Sequence, residues 1–309
     1  MLPFGVAVVL LGVVALRTNV GAAKAGLARV NLGAFVGFSA VFLAGLLTAD
    51  VFATLIVYKP LMGRIRYRDL LVVRGASYLP SMVNHHVGQA FVTVFLARAH
   101  GVALARVAGG TIVAYASWAA CLLGLGMAAV VATGTPMGWL ALPLGAGIGY
   151  LVVLGARPAA LVRIGLLKPL FEAGVVGHLR AAAARLPHAA VLFLGTWLQF
   201  AFFGVEIPVG AALSYVPVLM VAVTLPITPQ GFGTRDLVAA SLFAGFAPGV
   251  DEEARRATIA AATLSWGVVL TVLEAGLGLV LIRRATRLLE ARSGGGARES
   301  GVEDGGGQT

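Results

Sequence analysis

Charged side chains are sparse and scattered in this sequence, but two groups of polar and helix-breaking residues interrupt otherwise apolar stretches. Pro80, Asn84, His85, His86, Gly88 and Gln89 break the stretch from about Leu70 to Ala97. Pro226, Pro229, Gly231, Gly233, Arg235 and Asp236 break the one from about Val209 to Phe246. At the second break Arg235 suits a lipid phosphate, as a charge-assisted pair beside a helix N-terminus that itself favours anions. Asp236, expected in the first turn after the break, complements the helix dipole, and Gly231 and Gly233 free the backbone to turn. The plainer reading is that Arg235 and Asp236 neutralise their neighbours and fix the turn. His85 and His86 invite a metal. Adjacent helical side chains diverge by about 100°, however, and no other His, Cys or carboxylate stands nearby at ligand spacing, so neither a metal nor any other cofactor is expected. A headgroup-contacting or proton-sensitive pair fits better, because imidazole titrates near neutrality. Hydrogen bonding to backbone exposed at the break fits better still, and Asn84 carries the same two readings. Glu274 and Asp50 lie within apolar segments, where a carboxylate costs about 2.5–3.5 kcal/mol on insertion scales and must pair or face the bundle. Each reads first as an acid that locks two helices. Glu274 reads second as a group coupling proton binding to transport.

The elements that position these residues are set by composition. Of 309 residues, 59% are hydrophobic and 12% charged, against roughly half and a quarter in soluble domains. That excludes an ordinary cytosolic enzyme, a secreted disulfide scaffold and a disordered chain. The one cysteine, Cys121, sits in an apolar run and supports neither a disulfide framework nor a Cys-based metal site. The net charge of +10 lies between apolar runs, which favours anionic lipid headgroups over nucleic acid. The expected class is an all-α polytopic membrane protein.

A crossing helix needs about 20 mostly apolar residues. Leu32–Val57, Val107–Ala132, Trp139–Ala156, His188–Gly204 and Ala257–Ile282 meet or approach this, and Leu2–Leu16 reads as a first span or signal anchor. The two broken stretches do not. Pro removes a backbone donor and Gly lowers helix propensity, so each stretch is expected to enter the membrane and return. Lys59, Arg64, Arg66 and Arg68 precede the first stretch, and Arg98 and Arg106 follow it, which places both ends on the cytoplasmic side. Glu206 precedes the second, and Asp251, Glu252 and Glu253 follow it. Arg283, Arg284 and Arg287 make the C-terminus cytoplasmic, and counting back one span puts the second stretch's flanks outside. The expected architecture has about six full spans and two re-entrant helical hairpins entering from opposite faces, with both termini in the cytoplasm. Residues 157–185 form a basic cytoplasmic segment, and Arg17, Lys24 and Arg29 fit this map poorly. Residues 1–287 make up the membrane domain, and 288–309, rich in Gly and Glu, read as a disordered cytoplasmic tail.

Leu225-Pro226-Ile227-Thr228-Pro229-Gln230-Gly231-Phe232-Gly233-Thr234-Arg235-Asp236 resembles the Pro-Gly-Gly-x-Gly-x-Arg-Glu signature of the lysylphosphatidylglycerol synthase transmembrane, or flippase-like, family. Gln230 replaces one Gly, and Asp236 replaces the Glu. The block from Asn84 to Gly101 is similar to a second family motif through Asn84, Gly88, Leu96, Arg98 and Gly101, with Gln89 where the family carries an acid. Arg98 joins the candidate substrate-binding residues on this resemblance. The resemblance implies movement of a phospholipid, or of a polyprenyl- or hopanoid-type lipid, between leaflets of a bacterial cytoplasmic membrane. It does not imply lysyl transfer, because the segment after Arg287 does not resemble the soluble transferase domain. Two other functions compete: a membrane enzyme acting on lipid-linked substrates, and a non-transporting scaffold for lipid modification. The sequence displays no Ser-His-Asp set, metal cluster or paired-Asp motif in favour of the enzyme.

Overall fold

The computed structural model describes residue 28 and residues 30–299 apart from 64, 135 and 225–232. The first apolar segment, Arg17, Lys24, Arg29, Pro226, Pro229 and Gly231 therefore lie outside the described residues. Among those described, every regular element is helical. In chain order these are α1 (Leu32–Met62), α2 (Tyr67–Ala76), α3 (Tyr78–Ser81), α4 (His85–His100), α5 (Leu104–Thr133), α6 (Ala141–Ala156), α7 (Ala159–Val162), α8 (Lys168–Leu198), α9 (Val209–Thr224), α10 (Thr234–Phe243) and α11 (Glu252–Glu299). Among the described residues four helical segments are long and apolar enough to cross a membrane: Leu32–Met62, Leu104–Val131, Lys168–Phe203 and Glu252–Glu290. Ala141–Ala156 and Val209–Val223 are apolar but shorter.

α1 shows why these helices form a bundle. Asn31 caps its start by accepting from Ala34 N at 3.1 Å. Phe35, Ser39, Phe42, Leu43, Leu47, Asp50, Val51, Thr54, Val57 and Tyr58 are buried, one inward stripe at helical spacing. The opposite side is apolar but exposed, as at Val41 and Phe52. α6 goes further: Leu142, Ile148 and Val152 are exposed and Leu154 is its one buried side chain among those described. Apolar surface on this scale is stable against lipid, not against water.

α8 is the central element, packed against α1, α5, α6 and α9. It corrects the sequence expectation. A basic cytoplasmic segment was expected to end at Arg185 and a new span to begin at His188. Instead one helix runs through both, and Pro187 sits inside it. The change of direction falls at Gly174, whose φ of 58° and ψ of −174° suit a residue without a Cβ. His178 braces this kink, with Nδ1 2.8 Å from the Gly174 carbonyl oxygen and Nε2 2.7 Å from the Tyr150 hydroxyl.

The first broken stretch is a helical hairpin. α2 and α3 lead to a turn at Met82–Asn84, and α4 packs back against α3. Gly88 allows the close approach: a Cβ there would overlap the Ser81 side chain and lie 2.9 Å from the Ser77 carbonyl oxygen. α9 and α10, which flank the second break, also pack against each other, and α11 covers α1, α2, α3, α4 and α10. α11 runs from Glu252 to Glu299. Leu288 and Leu289 pack against the cluster that holds Leu281 and Ala285, which extends the helix beyond the arginines.

Candidate functional site: a buried arginine–carboxylate cluster

The stripe of α1 puts Asp50 near the middle of the helix, facing inward and 6% exposed. A charge taken out of water needs a partner, and two helices supply one each. Arg74 of α2 donates from Nε to Asp50 Oδ2 at 2.5 Å, and Arg185, midway along α8, donates from Nη1 to Asp50 Oδ1. Their side chains are 13% and 7% exposed. Arg74 also donates from Nη1 to Gln89 Oε1 of α4 at 3.0 Å, which ties the two arms of the hairpin together. Among the described residues Asp50 is the carboxylate paired with either arginine, so two cations face one anion. Arg185 Nε is buried without a hydrogen-bond partner. The two arginines outnumber the carboxylate bonded to them, and Glu274 of α11 stands further out, within electrostatic reach of Tyr78.

Polar groups extend from the cluster. Thr93, one turn along α4, donates to the Gln89 carbonyl at 2.9 Å, and its hydroxyl lies 2.9 Å from that of Thr111 on α5. Thr111 meets the Tyr58 hydroxyl at 2.6 Å. Tyr58 is eight residues beyond Asp50 on α1, roughly 12 Å along the axis at 1.5 Å per residue. The hydroxyls thus form a seam from mid-helix toward the Lys59 end of α1. His188, one turn beyond Arg185, is close enough to Asp50, Arg185 and Arg74 to feel their charge. Its Nδ1 lies 3.4 Å from the Leu46 carbonyl oxygen. On the outward side of α1 an open apolar groove of about 730 Å³ passes Val41, Gly45, Thr48 and Phe52 to Tyr67, with Pro187 on its wall.

The residues singled out from sequence fall in three places. His85 and Glu274 border the cluster: His85 lies within electrostatic reach of Arg74, Asp50 and His188, and Glu274 within reach of Tyr78, which also feels Arg74 and Asp50. Asn84 and His86 are at the hairpin turn. Asn84 Oδ1 accepts from His86 N at 2.8 Å as the N-cap of α4, and His86 Nδ1 is 3.2 Å from the Tyr115 hydroxyl. Arg98 is exposed in the last turn of α4, at the foot of the hairpin. Among the described residues no group of three or more His, Cys, Asp or Glu side chains is arranged to hold a metal.

Arg235 and Asp236 are in a different part of the molecule, at the start of α10. Gly233 turns the chain with φ of 80°, and Asp236 Oδ2 reaches back to accept from Gly233 N at 2.9 Å. Arg235 donates from Nη2 to the Thr263 carbonyl oxygen of α11 at 2.9 Å, and its Nε lies 3.6 Å from Asp236 Oδ1. These contacts start α10 and fasten it to α11. Sequence reasoning missed Arg74, which stands in an apolar run, and took Arg185 for a surface cation. The available signal was Asp50 itself, an acid within an apolar run of crossing length, which calls for cations from helices that pack against it.

Fold and site together define a class: an all-helical protein with helices of membrane-crossing length and composition around an internal cluster of two arginines and one carboxylate. No family model, curated protein or solved structure matches the chain.

Proposed function

We propose that this protein moves a lipid, or a lipid-linked headgroup, between the leaflets of a membrane without covalent chemistry, as the resemblance to the flippase-like family implies. The observation that carries this reading is the Arg74–Asp50–Arg185 cluster. It lies near the middle of α1 and α8, two helices of membrane-crossing length, and it carries a charge opposite to an anionic headgroup. Ionisable groups at that depth are costly and mark pathways. One of the arginines is contributed by a broken helical element, as in transporters whose sites form where helices are interrupted. In this reading the headgroup follows the hydroxyl seam of Tyr58, Thr111 and Thr93 to the cluster, and the apolar chain stays in the groove beside α1. Both hairpins are re-entrant from opposite faces, the protein sits in a cytoplasmic membrane with both termini in the cytoplasm, and Arg98 meets headgroups at the surface.

The test is leaflet exchange of labelled lipids in vesicles containing the purified chain, compared with protein-free vesicles. Wild type is expected to accelerate exchange of at least one anionic lipid, and Arg185→Gln to lower that rate about tenfold or more through loss of a charged hydrogen-bond donor. Equal rates with and without protein, for anionic phospholipids and polyprenyl phosphates alike, reject the proposal.

A further inference from the structure

We propose that Arg74 and Arg185 form a binding site for one phosphate-bearing anion, and that the Asp50 carboxylate is a built-in competitor for it. This deepens the reading above by naming the ligand class of that site, and it rests on that reading only for where the anion goes next.

Three observations converge. The first is charge: two guanidinium groups share a single carboxylate inside the bundle. Gln89, the other side chain bonded to Arg74, offers a neutral oxygen, so it satisfies a donor without compensating the excess. The second is an unmet donor. Arg185 Nε is buried with no partner, although its neighbour Nη1 is bonded to Asp50. The third is geometry. A guanidinium presents five N–H donors in a planar fork, and its strongest pairing with an oxyanion is bidentate. Here each arginine gives one N–H to a different oxygen of the same carboxylate, so neither fork is engaged in that mode. Asp50 takes one N–H on each oxygen and faces neither guanidinium edge-on. A phosphate group is tetrahedral, with four unesterified oxygens in inorganic phosphate and two beside two ester oxygens in a phosphatidylglycerol diester, so it can turn separate pairs of oxygens to the two forks. Arg74 is on α2, which packs against α11 and α1, and Arg185 is on the long α8, so the two forks reach the site from separate elements.

In this scheme Asp50 keeps the arginines together, and an arriving phosphate displaces it from one or both. The same chemistry is found in a lipid headgroup and in free phosphate, and the test separates the two sources. The full chain is purified in an uncharged detergent, and thermal unfolding is followed against inorganic phosphate or short-chain phosphatidylglycerol, with chloride at equal ionic strength as control. Wild type, Asp50→Asn and Gln89→Glu are compared. Asp50→Asn removes the competitor, so its apparent affinity is expected to rise roughly tenfold or more. Gln89→Glu adds the missing negative charge beside Arg74 and is expected to abolish the response while leaving the protein folded.

A response to the lipid alone assigns the site to a headgroup, and a response to inorganic phosphate assigns it to a soluble anion; both uphold the site. If Asp50→Asn is unstable in phosphate-free detergent, its recovery by either ligand upholds the competitor role, and failure of both to recover it counts against that role. Equal responses from wild type and Gln89→Glu, or no response beyond chloride in any of the three, overturn the proposal. Binding is read here without vesicles, so its failure and a failure of leaflet exchange are separate results.

Discussion

At the residue scale, the decisive fact is that an acid and its partners are each costly alone inside the bundle and tolerable together. Removing one member of a buried ion pair leaves the other uncompensated, a loss of about 3–5 kcal/mol. Asp50→Ala is therefore expected to lower the unfolding temperature in phosphate-free detergent far more than Glu252→Ala, whose pairing with Arg256 is solvent-exposed. Similar losses for the two variants would show the cluster to be energetically neutral. Asp236 is enclosed at least as deeply: its carboxylate accepts from Gly233 N and lies 3.6 Å from Arg235 Nε, so by the same argument Asp236→Ala is expected to cost about 3–5 kcal/mol, measured by thermal unfolding. Arg235→Ala removes a charged donor to the Thr263 carbonyl and is expected to destabilise by about 1.5–3 kcal/mol while exchange per folded molecule stays near wild type. A complete loss of exchange in folded Arg235→Ala would place Arg235 on the headgroup path.

At the scale of elements, close approach depends on a few glycines. Gly88 lets α4 lie against α3, and the Arg74–Gln89 bond forms one residue further on. Gly88→Ala must push Ser81 and the Ser77 carbonyl away, an overpacking cost of about 1–3 kcal/mol. The expected outcome is a lower unfolding temperature and a weaker phosphate response together, because the hairpin opens where Arg74 is held. Gly124→Ala, which adds a methyl with nothing within 4 Å, is the control and is expected to leave both unchanged. The hairpin was legible in the sequence because Pro80, Asn84 and Gly88 interrupt an apolar run. The continuity of α8 was not. Its arginine at 185 and proline at 187 look like the edge of a loop until Asp50 is placed opposite Arg185.

For the whole molecule, the testable consequence is topology. If the first hairpin enters and returns through one face, cysteines introduced at Arg68 and His100 will be labelled by an impermeant reagent from the same side. The natural Cys121 is buried in α5 and is replaced by Ala in that background. Labelling of the two positions from opposite sides would replace the hairpin with a kinked span and invert everything after it. The bundle also explains why the two breaks differ in chemistry. The first places Arg74 in the interior beside α1 and α8, while the second fastens α10 to α11 within the aromatic cluster of Phe200, Phe243 and Trp266.

The membrane class was written in the sequence: apolar runs of crossing length and their interruptions follow from transfer energetics, which need no knowledge of partners, whereas the buried face of α1, apolar all round, does not. The sequence also located the caps at Asn84 and Asp236, because a cap acts within a few residues of itself. The centre of the site was decided only by tertiary structure. Asp50, Arg74 and Arg185 come from three helices, the outermost two 135 positions apart, and nothing local to any of them encodes the other two. What joins them is a nonlocal balance: the energy of pairing charges within the bundle against the cost of leaving each unpaired where water is excluded.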